Sequence, residues 1–358
     1  MKVSILIPCF NAERWIGAAI ASALDQSWSE KEVIVVDDGS TDGSLEIIHS
    51  FGDRIHCESG PNCGGNVARN RLLELASGDW LQYLDADDWL MADHVAQQMM
   101  VAQSNPRADV VYSPITMEYW PETELASESS QDDRGTKLKA TGSPKREVFP
   151  IPEPHDPWIQ LIRWYLPQTG ATLFRREAVV DVGQWKIDQP CCQEHELYFR
   201  LLAAGKIFTF NPCSGAVYRQ WSQGTVCRRD PLQTFLRRLE VVTSVEKCLA
   251  QRDALTKLRY RAISLTRMEC ARSLYHLDRS QALALVQQQQ LRRRILLADE
   301  PAFPPMYRLA FHLFGFRTAE FIADAVRRRR SNNKPRVCES DDVDQAMISP
   351  RTIVESAS

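Results

Sequence analysis

Residues 32–40 read Glu-Val-Ile-Val-Val-Asp-Asp-Gly-Ser, four β-branched residues followed at once by two carboxylates and a turn. An unbroken apolar run of this length is typical of a strand that is covered on both faces, as in a parallel sheet. Two further stretches show the same pattern. Val-Ser-Ile-Leu-Ile at 3–7 is ended by Pro8, and Trp-Leu-Gln-Tyr-Leu at 80–84 is followed by Asp-Ala-Asp-Asp. All three predict buried strands that end in polar residues.

Segments with helical spacing separate these strands. Apolar residues recur at helical intervals over 12–24, 45–49, 66–76 and 93–103, and shorter strands are expected at 54–57 and 109–112. The alternation predicts an α/β domain with a Rossmann-like, mostly parallel sheet flanked by helices. Ligands of such sheets bind at the carboxyl ends of the strands. We therefore expect Asn11, Asp37 and Asp85 to lie along one edge.

The remaining chain is predicted in three parts. Residues 121–150 lack periodicity and predict a long exposed loop, and beyond them come strands near 171–174, 207–210 and 215–219 with a helix over 194–204. Helices are expected at 235–250, 255–275 and 280–297, before a polar, aperiodic tail that predicts disorder. The resulting division is a catalytic domain at 1–230, in halves of about 1–113 and 114–230, a helical basic region at 231–330 and a tail at 331–358.

The charge is distributed unevenly along the 358 residues. The net charge is −3, but residues 1–250 carry −10, residues 251–336 carry +11 and the last 22 carry −4. A nucleic-acid binder would need net positive charge across its folded domain, so this class is excluded. The ten cysteines form no CxxC pair, which disfavours a zinc ribbon or a disulfide scaffold. With neither a secretory signal nor an apolar run of spanning length, the sequence predicts a cytoplasmic protein.

Asp85 and Asp87 are the first candidates for chemistry. Two carboxylates separated by one residue in a turn can bind one hard cation through oxygen and leave other positions for phosphate and water. The alternative is an acidic turn that only caps the next helix. Asp37 and Asp38 could likewise belong to a turn that only ends a strand. Arg69 could be an ordinary residue on the surface of a helix.

Four segments in order resemble the family 2 glycosyltransferases, inverting enzymes of the GT-A fold. They lie at 3–11, 32–42, 64–70 and 83–88, and the resemblance is dense over 2–112 and looser to about 228. It implies a hexosyltransferase-type enzyme (EC 2.4) that uses a nucleotide-sugar donor. Processive members of the family carry membrane helices, so the resemblance predicts a non-processive enzyme here.

The resemblance also implies roles for the donor-side residues. Pro8 and Phe10, with Asn11 beside them, would line the pocket of a nucleobase, usually uracil in this family. Asp37, helped by Asp38, would accept hydrogen bonds from the base or ribose. Three further residues complete the nucleotide site: Arg69 would neutralise the diphosphate or contact the base, Asp85 would face the ribose, and Asp87 would hold Mg²⁺ or Mn²⁺.

A general base is expected near residue 194. Inversion by a single displacement needs a carboxylate that takes the proton of the acceptor hydroxyl. Aligning Glu196-Leu197 and Arg200-Leu201 with the family pattern places Glu194 at the base position, where the family usually has Asp. Glu196 is the competing candidate, although Glu196 and Arg200 are also spaced for an ion pair along a helix.

The family's Tyr-Arg-x-His pattern is altered here to Tyr218-Arg219-Gln220-Trp221. Arg219 could still contact the diphosphate, and Trp221 could stack on a sugar or simply pack. The aromatic stretch at 304–317 and the arginines at 327–330 are suited to an anionic membrane surface or to a helix packed on the catalytic domain.

The sequence thus predicts transfer of a sugar, most simply from a UDP-sugar, to a hydroxyl acceptor in polysaccharide, lipid-linked glycan or glycoconjugate synthesis. The protein would be cytoplasmic or peripheral on the cytoplasmic face of a membrane. The alternative is a catalytically inactive nucleotide-sugar-binding or scaffolding protein, because two motif positions depart from the family. Neither the donor sugar, the acceptor and linkage, nor the oligomeric state is encoded in a recognisable motif.

Overall fold

Two sheets organise the first part of the chain in the computed structural model, which describes residues 1–120, 144–220, 230–291 and 302–332. Their strands are, in chain order, β1 (Val3–Cys9), β2 (Lys31–Asp37), β3 (His56–Ser59), β4 (Trp80–Tyr83), β5 (Trp89–Leu90), β6 (Val110–Tyr112), β7 (Ile115–Tyr119), β8 (Lys145–Phe149), β9 (Thr172–Arg175), β10 (Phe208–Phe210) and β11 (Ala216–Gln220).

The larger sheet has seven strands in the order β10-β6-β9-β4-β1-β2-β3. All of its strands are parallel except β9, which lies antiparallel between β4 and β6. This confirms the predicted mostly parallel α/β architecture. The register pairs Cys9 of β1 with Asp37 of β2, so the polar residues that follow both strands begin at the same edge.

The smaller sheet has the order β5-β11-β7-β8. The prediction of a loop over the whole of 121–150 is wrong for residues 145–149. They form β8, which pairs antiparallel with β7. This strand is largely exposed and carries Lys, Arg and Glu, as edge strands do, so it has no apolar run to reveal it. The part of that predicted loop at 121–143 lies outside the described residues.

Most of the described helices lie close to their predicted positions, but those at Pro157–Arg163 and Arg176–Asp181 were not predicted. Seven belong to the first part of the chain: α1 (Ile16–Leu24), α2 (Ser44–His49), α3 (Gly65–Leu75), α4 (His94–Ser104), α5 (Pro157–Arg163), α6 (Arg176–Asp181) and α7 (Gln193–Ala203). Four follow: α8 (Pro231–Gln251), α9 (Lys257–Leu277), α10 (Arg279–Leu291) and α11 (Pro305–Asn332). The predicted tail lies outside the described residues from 333 onward.

The core of the first part explains why α1 forms where it does. Its residues Ile16, Ala19, Ile20 and Ala23 are buried, at spacings that place them on one helix face. They pack in one cluster with inward side chains of β1 and β2. Each fully buried large aliphatic side chain contributes about 1.5–3 kcal/mol to folding. This packing fixes the sheet whose edge carries the polar residues.

The contacts divide the chain into two compact units, Met1–Arg229 and Asp230–Ser358. The second unit is helical in its described residues and has its own apolar core, which includes Met268, Phe303 and Phe311. None of the helices described combines the length and apolar character needed to cross a membrane.

Candidate active site

Asp37 lies at the carboxyl end of β2, almost completely buried. Its carboxylate accepts hydrogen bonds from the Ser59 hydroxyl at 2.9 Å and from the Ser40 backbone N–H at 3.3 Å. These bonds keep the carboxylate in place beside the end of β1. The predicted contact between Asp37 and a base or ribose stays a prediction.

Asp38 binds backbone groups of another loop, unlike its neighbour Asp37. Its two carboxylate oxygens accept the backbone N–H groups of Cys63 and Gly64 at 2.7 and 2.9 Å, at the start of α3. The next residue, Gly39, has φ +77°, and a Cβ on it would stand 2.6 Å from the backbone nitrogen of Asn62. Asp38 and Gly39 therefore join two loops closely, which sequence reasoning missed. A direct contact between Asp38 and the nucleotide stays a prediction.

The residues after β1 present an aromatic ring at the same edge. Phe10 is 50% exposed, and Pro8 beside it is partly buried. Asn11 adopts a left-handed conformation with φ 49° and accepts the Thr41 N–H through its side chain at 2.8 Å. This bond connects the loop after β1 to the loop after β2 and leaves the Phe10 ring accessible.

Arg69 of α3 is the central cation of the site. It is only 8% exposed, so the alternative of a surface helix residue is wrong. Its guanidinium donates to Asp85 at 2.8 Å and to the Gln193 side chain at 3.0 Å. Burial alone would lower the pKa of Arg69, but attraction to Asp85 and Glu194 raises it above the ordinary value. The cation thus connects the end of β4 to the start of α7.

The carboxylates after β4 form a tight turn in which the Asp88 N–H donates to the Asp85 carbonyl at 3.0 Å. Asp85 and Asp87 keep partial contact with solvent, whereas Asp88 is buried. Burial, followed by the charges of Asp87 and Asp85, raises the pKa of Asp88 well above its usual range. Asp88 accepts the backbone N–H of Arg219 at 2.9 Å, which fastens the turn to β11. The bond to β11 therefore fixes the turn, while the carboxylates of Asp85 and Asp87 remain accessible.

Arg219 is also buried beneath this turn. Its guanidinium donates to Glu118 at 3.1 Å and to the Asp87 carbonyl at 3.0 Å, and it lies over the Trp15 ring. Burial lowers the pKa of Arg219, although Glu118 opposes the shift. Arg219 therefore holds the backbone of the turn through the Asp87 carbonyl. A contact between Arg219 and a diphosphate stays a prediction. Trp221 lies outside the described residues.

Glu194 and Glu196 are neighbours in the first turn of α7 but differ in surroundings. Burial raises the pKa of Glu194, Arg69 opposes this shift and Asp85 adds to it. Glu196 instead pairs with Lys186 at 2.7 Å and with Arg200 at 2.8 Å. The structure therefore contains the helix ion pair that was one alternative for Glu196.

Asn66, Asn70 and Trp185, whose roles sequence reasoning missed, hold the two sides of the site together. Asn70 exchanges hydrogen bonds with the backbone of Trp185, at 2.8 and 2.9 Å. The indole of Trp185 packs edge-on against Tyr83 and lies 5.1 Å from the Arg69 guanidinium. Asn66, Arg69 and Asn70 share one face of α3 because they are spaced i, i+3 and i+4. That spacing of polar residues was the available signal.

The accessible carboxylates suit a hard divalent cation. Asp85 and Asp87 supply oxygen donors, and Mg²⁺ is commonly held by one or two carboxylates with substrate phosphates and water completing the shell. Within the described ranges, the group of three clustered ligand-type side chains is elsewhere, at His276, Glu320 and Asp324. A cation at Asp85 and Asp87 would therefore need further oxygen ligands from a bound nucleotide sugar and water. The role of Asp87 as a metal ligand stays a prediction.

Comparison with known proteins agrees with this arrangement. Residues 4–144 match the model of the family described as Glycosyl transferase family 2. An uncharacterised glycosyltransferase of Haemophilus influenzae is 42% identical over 101 residues, covering 27% of this chain and 40% of the relative. TuaG of Bacillus subtilis, named as a putative teichuronic acid biosynthesis glycosyltransferase, is 40% identical over 101 residues, covering 27% and 40%.

A third relative is the Escherichia coli glucosyltransferase WfaP, 37% identical over 99 residues, covering 27% of this chain and 39% of WfaP. The chain thus matches about two-fifths of the length of each relative. Among solved structures, Staphylococcus aureus TarS 1–349 superposes with a TM-score of 0.53 at 14% identity, over 84% of this chain and 95% of TarS. The sheet order and the superposition on TarS agree that the chain has the GT-A fold, and residues 4–144 are similar to glycosyl transferase family 2.

Proposed function

We propose that this chain is an inverting glycosyltransferase that moves one sugar from a nucleoside-diphosphate donor to a hydroxyl acceptor. The observation that carries the proposal is the buried Arg69 bridge. One cation binds Asp85 at the end of β4 and Gln193 at the start of α7, next to Glu194. A donor-side carboxylate and a candidate base are thereby held in one charge network.

The chemistry follows from the environment of each residue. Glu194 would take the proton of the acceptor hydroxyl as its oxygen bonds to the anomeric carbon, and the nucleoside diphosphate would leave from the opposite face. A base is most effective when its pKa approaches the working pH. Burial moves the pKa of Glu194 in that direction. Glu196, already paired with two cations, is a weaker candidate.

The donor site would lie along the carboxyl ends of β1, β2 and β4. The accessible ring of Phe10 would stack on the base, with Pro8 and Asn11 shaping the pocket, and Asp37 would accept from the base or ribose. Mg²⁺ or Mn²⁺ held at Asp87 would supply positive charge to the leaving diphosphate.

UDP is the nucleotide we favour, and a glycan or lipid-linked glycan is the favoured acceptor. The name of WfaP describes transfer from UDP-Glc to GlcNAc on diphosphoundecaprenol. The match covers only part of WfaP, so the donor and acceptor of this chain are proposals that rest on similarity. We also propose that a single sugar is transferred, which the mass of the product would test, and that the protein is cytoplasmic.

Glu194→Gln tests the proposal. The substitution keeps the size of the side chain but removes the base, so transfer and metal-dependent hydrolysis of a UDP-sugar should fall about 10²–10⁴-fold. Thermal shifts with UDP and Mn²⁺ should remain, because the donor site is unchanged. Glu177→Gln, at an exposed glutamate of α6, serves as the matched control.

Two outcomes would contradict the proposal in different ways. Full turnover by the Glu194→Gln protein would exclude Glu194 as the base. A wild-type protein that binds UDP with Mn²⁺ but neither hydrolyses nor transfers any nucleotide sugar would favour the inactive binding or scaffolding protein instead.

A further inference from the structure

Helix α11 exposes an unusual amount of apolar surface. Five large apolar side chains between residues 306 and 321 are 61–74% exposed: Met306, Leu309, Leu313, Phe314 and Phe321. Three of them, Met306, Leu309 and Leu313, follow the spacing i, i+3 and i+7 and therefore share one helix face. A solvated helix normally turns polar residues outward. We therefore expect this apolar face to be covered by a binding partner.

The other face of α11 is already occupied. Tyr307, Ala310 and Phe311 are buried in the core of the helical unit, as are Phe316 and Ala319 beyond the bend at Gly315. The helix is therefore apolar on two sides. Packing within its own unit explains the first side and leaves the second one unexplained.

The charge of the segment indicates the chemistry of the occupant. Residues 304–332 contain six arginines and two carboxylates. One of these carboxylates, Glu320, is fully buried and held by Arg272 at 2.9 Å and by the Tyr307 hydroxyl at 2.5 Å. The segment therefore has a net charge of +4 from six arginines and two carboxylates, and the second carboxylate, Asp324, is half-buried and pairs with Arg327. Arg317 is exposed and lies two residues beyond the bend at Gly315.

We propose that the part of α11 before the bend at Gly315 lies in the plane of an anionic lipid surface, with the face formed by Met306, Leu309 and Leu313 in the boundary between headgroups and acyl chains. In-plane helices bind through buried apolar area together with attraction between basic residues and anionic lipids. A second copy of this chain would instead bring two arginine-rich helices together. Charge complementarity thus favours lipid over self-association. This inference stands independently of the proposed sugar transfer.

Vesicle sedimentation with the full-length protein tests the inference. Binding should be at least tenfold stronger to vesicles with about 30% phosphatidylglycerol than to pure phosphatidylcholine, and should weaken as salt rises from about 50 to about 500 mM. The double variant Leu309→Ser/Leu313→Ser should bind at least tenfold more weakly, which corresponds to about 1.4 kcal/mol. Both side chains are exposed, so the melting temperature should not fall.

Two further variants sharpen the test. Met100→Ser removes an apolar side chain that is 63% exposed in the first unit, and it should bind vesicles as the wild type does. Arg317→Glu should weaken binding to anionic vesicles without touching the apolar face.

Three results would overturn the inference. They are absence of wild-type binding to anionic vesicles, equal binding by the double variant, and a wild-type dimer that the double variant converts to a monomer while vesicles are ignored. Loss of sugar transfer with vesicle binding retained would affect the proposed function alone.

Discussion

Arg69→Met removes the cation that joins the two sides of the candidate site. The side chain keeps a similar length but can no longer donate to Asp85 or Gln193, whose distances from the guanidinium are 2.8 and 3.0 Å. We expect the variant to fold with lower stability and to bind nucleotide more weakly, because Asp85 and Glu194 then face each other without a compensating charge.

The structure sets the size of the effect. Removing one partner of a buried ion pair costs about 3–5 kcal/mol, because the other charge is left unpaired. Arg69 has 10% of its side chain exposed and Asp85 has 26%, so water can partly solvate the remaining carboxylate. We therefore expect a loss of about 2–3 kcal/mol in the free energy of unfolding at pH 7.

The loss should also depend on pH. The pKa of Glu194 is raised above its ordinary value of 4.5 in the folded state, so the folded state holds this proton more tightly than the unfolded chain does. Stability from this group is present below the ordinary pKa and decreases as pH rises through the folded value. Without Arg69, which opposes the shift, the pKa of Glu194 should rise further. The difference between wild type and variant should therefore grow from pH 4 to pH 7.

Urea unfolding at several pH values measures this difference. Arg71→Met is the matched control, since Arg71 lies on the same helix but pairs with Glu58 and Glu74 at the surface. The control should change stability little and show only a small pH trend, from Glu58, whose pKa Arg71 lowers at the exposed surface. A loss in Arg69→Met that is small, or that is the same at pH 4 and pH 7, would refute the reasoning that a buried charge bridge holds the site.

Three other predictions follow from local geometry. Gly39→Ala should lower unfolding free energy in urea by about 1–3 kcal/mol from backbone strain alone, whereas Gly60→Ala, with open space around it, should not. Burial, aided by Asp37, raises the pKa of Cys9 to about 12, so mass spectrometry after alkylation of the native protein at pH 8 should find Cys63 modified and Cys9 intact. Glu196→Gln should destabilise the protein but leave measurable sugar transfer; complete loss with unchanged stability would make Glu196 the base.

The arrangement of the sheet was predictable because it depends on local patterns. Apolar runs that end in Pro8, Asp37 and Asp85 identify buried strands without any knowledge of their neighbours. Parallel pairing then places all three strand ends at one edge, as the structure confirms for β1, β2 and β4. Periodicity also gave the position of α7 to within one residue at either end.

The contacts within the site were not predictable in the same way. Asp38 and Arg219 matched family motifs, but their partners lie 25 residues or more away in sequence, at Cys63 and Glu118. Burial of Arg69 likewise depends on Trp185, which arrives from another part of the chain. Spacing identifies a residue's type and helix face, whereas its role depends on what the tertiary fold brings against it.

Glu194 and Glu196 lie in the same turn of α7 but differ in their contacts with residues 182–186, the loop that carries Trp185. Glu196 binds Arg200, whose guanidinium donates to the backbone carbonyls of Val182 and Gln184. It also pairs with Lys186 of the same loop. Glu196 therefore holds the loop in place through two cations.

From the other side, α3 fixes the same loop. Asn66 donates to the Lys186 carbonyl at 2.6 Å, and Asn70 binds the backbone of Trp185. The indole then packs beside Arg69, the cation whose charge acts on Glu194. Glu196 is engaged in holding this loop through Lys186 and Arg200, which is why we propose Glu194 rather than Glu196 for proton transfer.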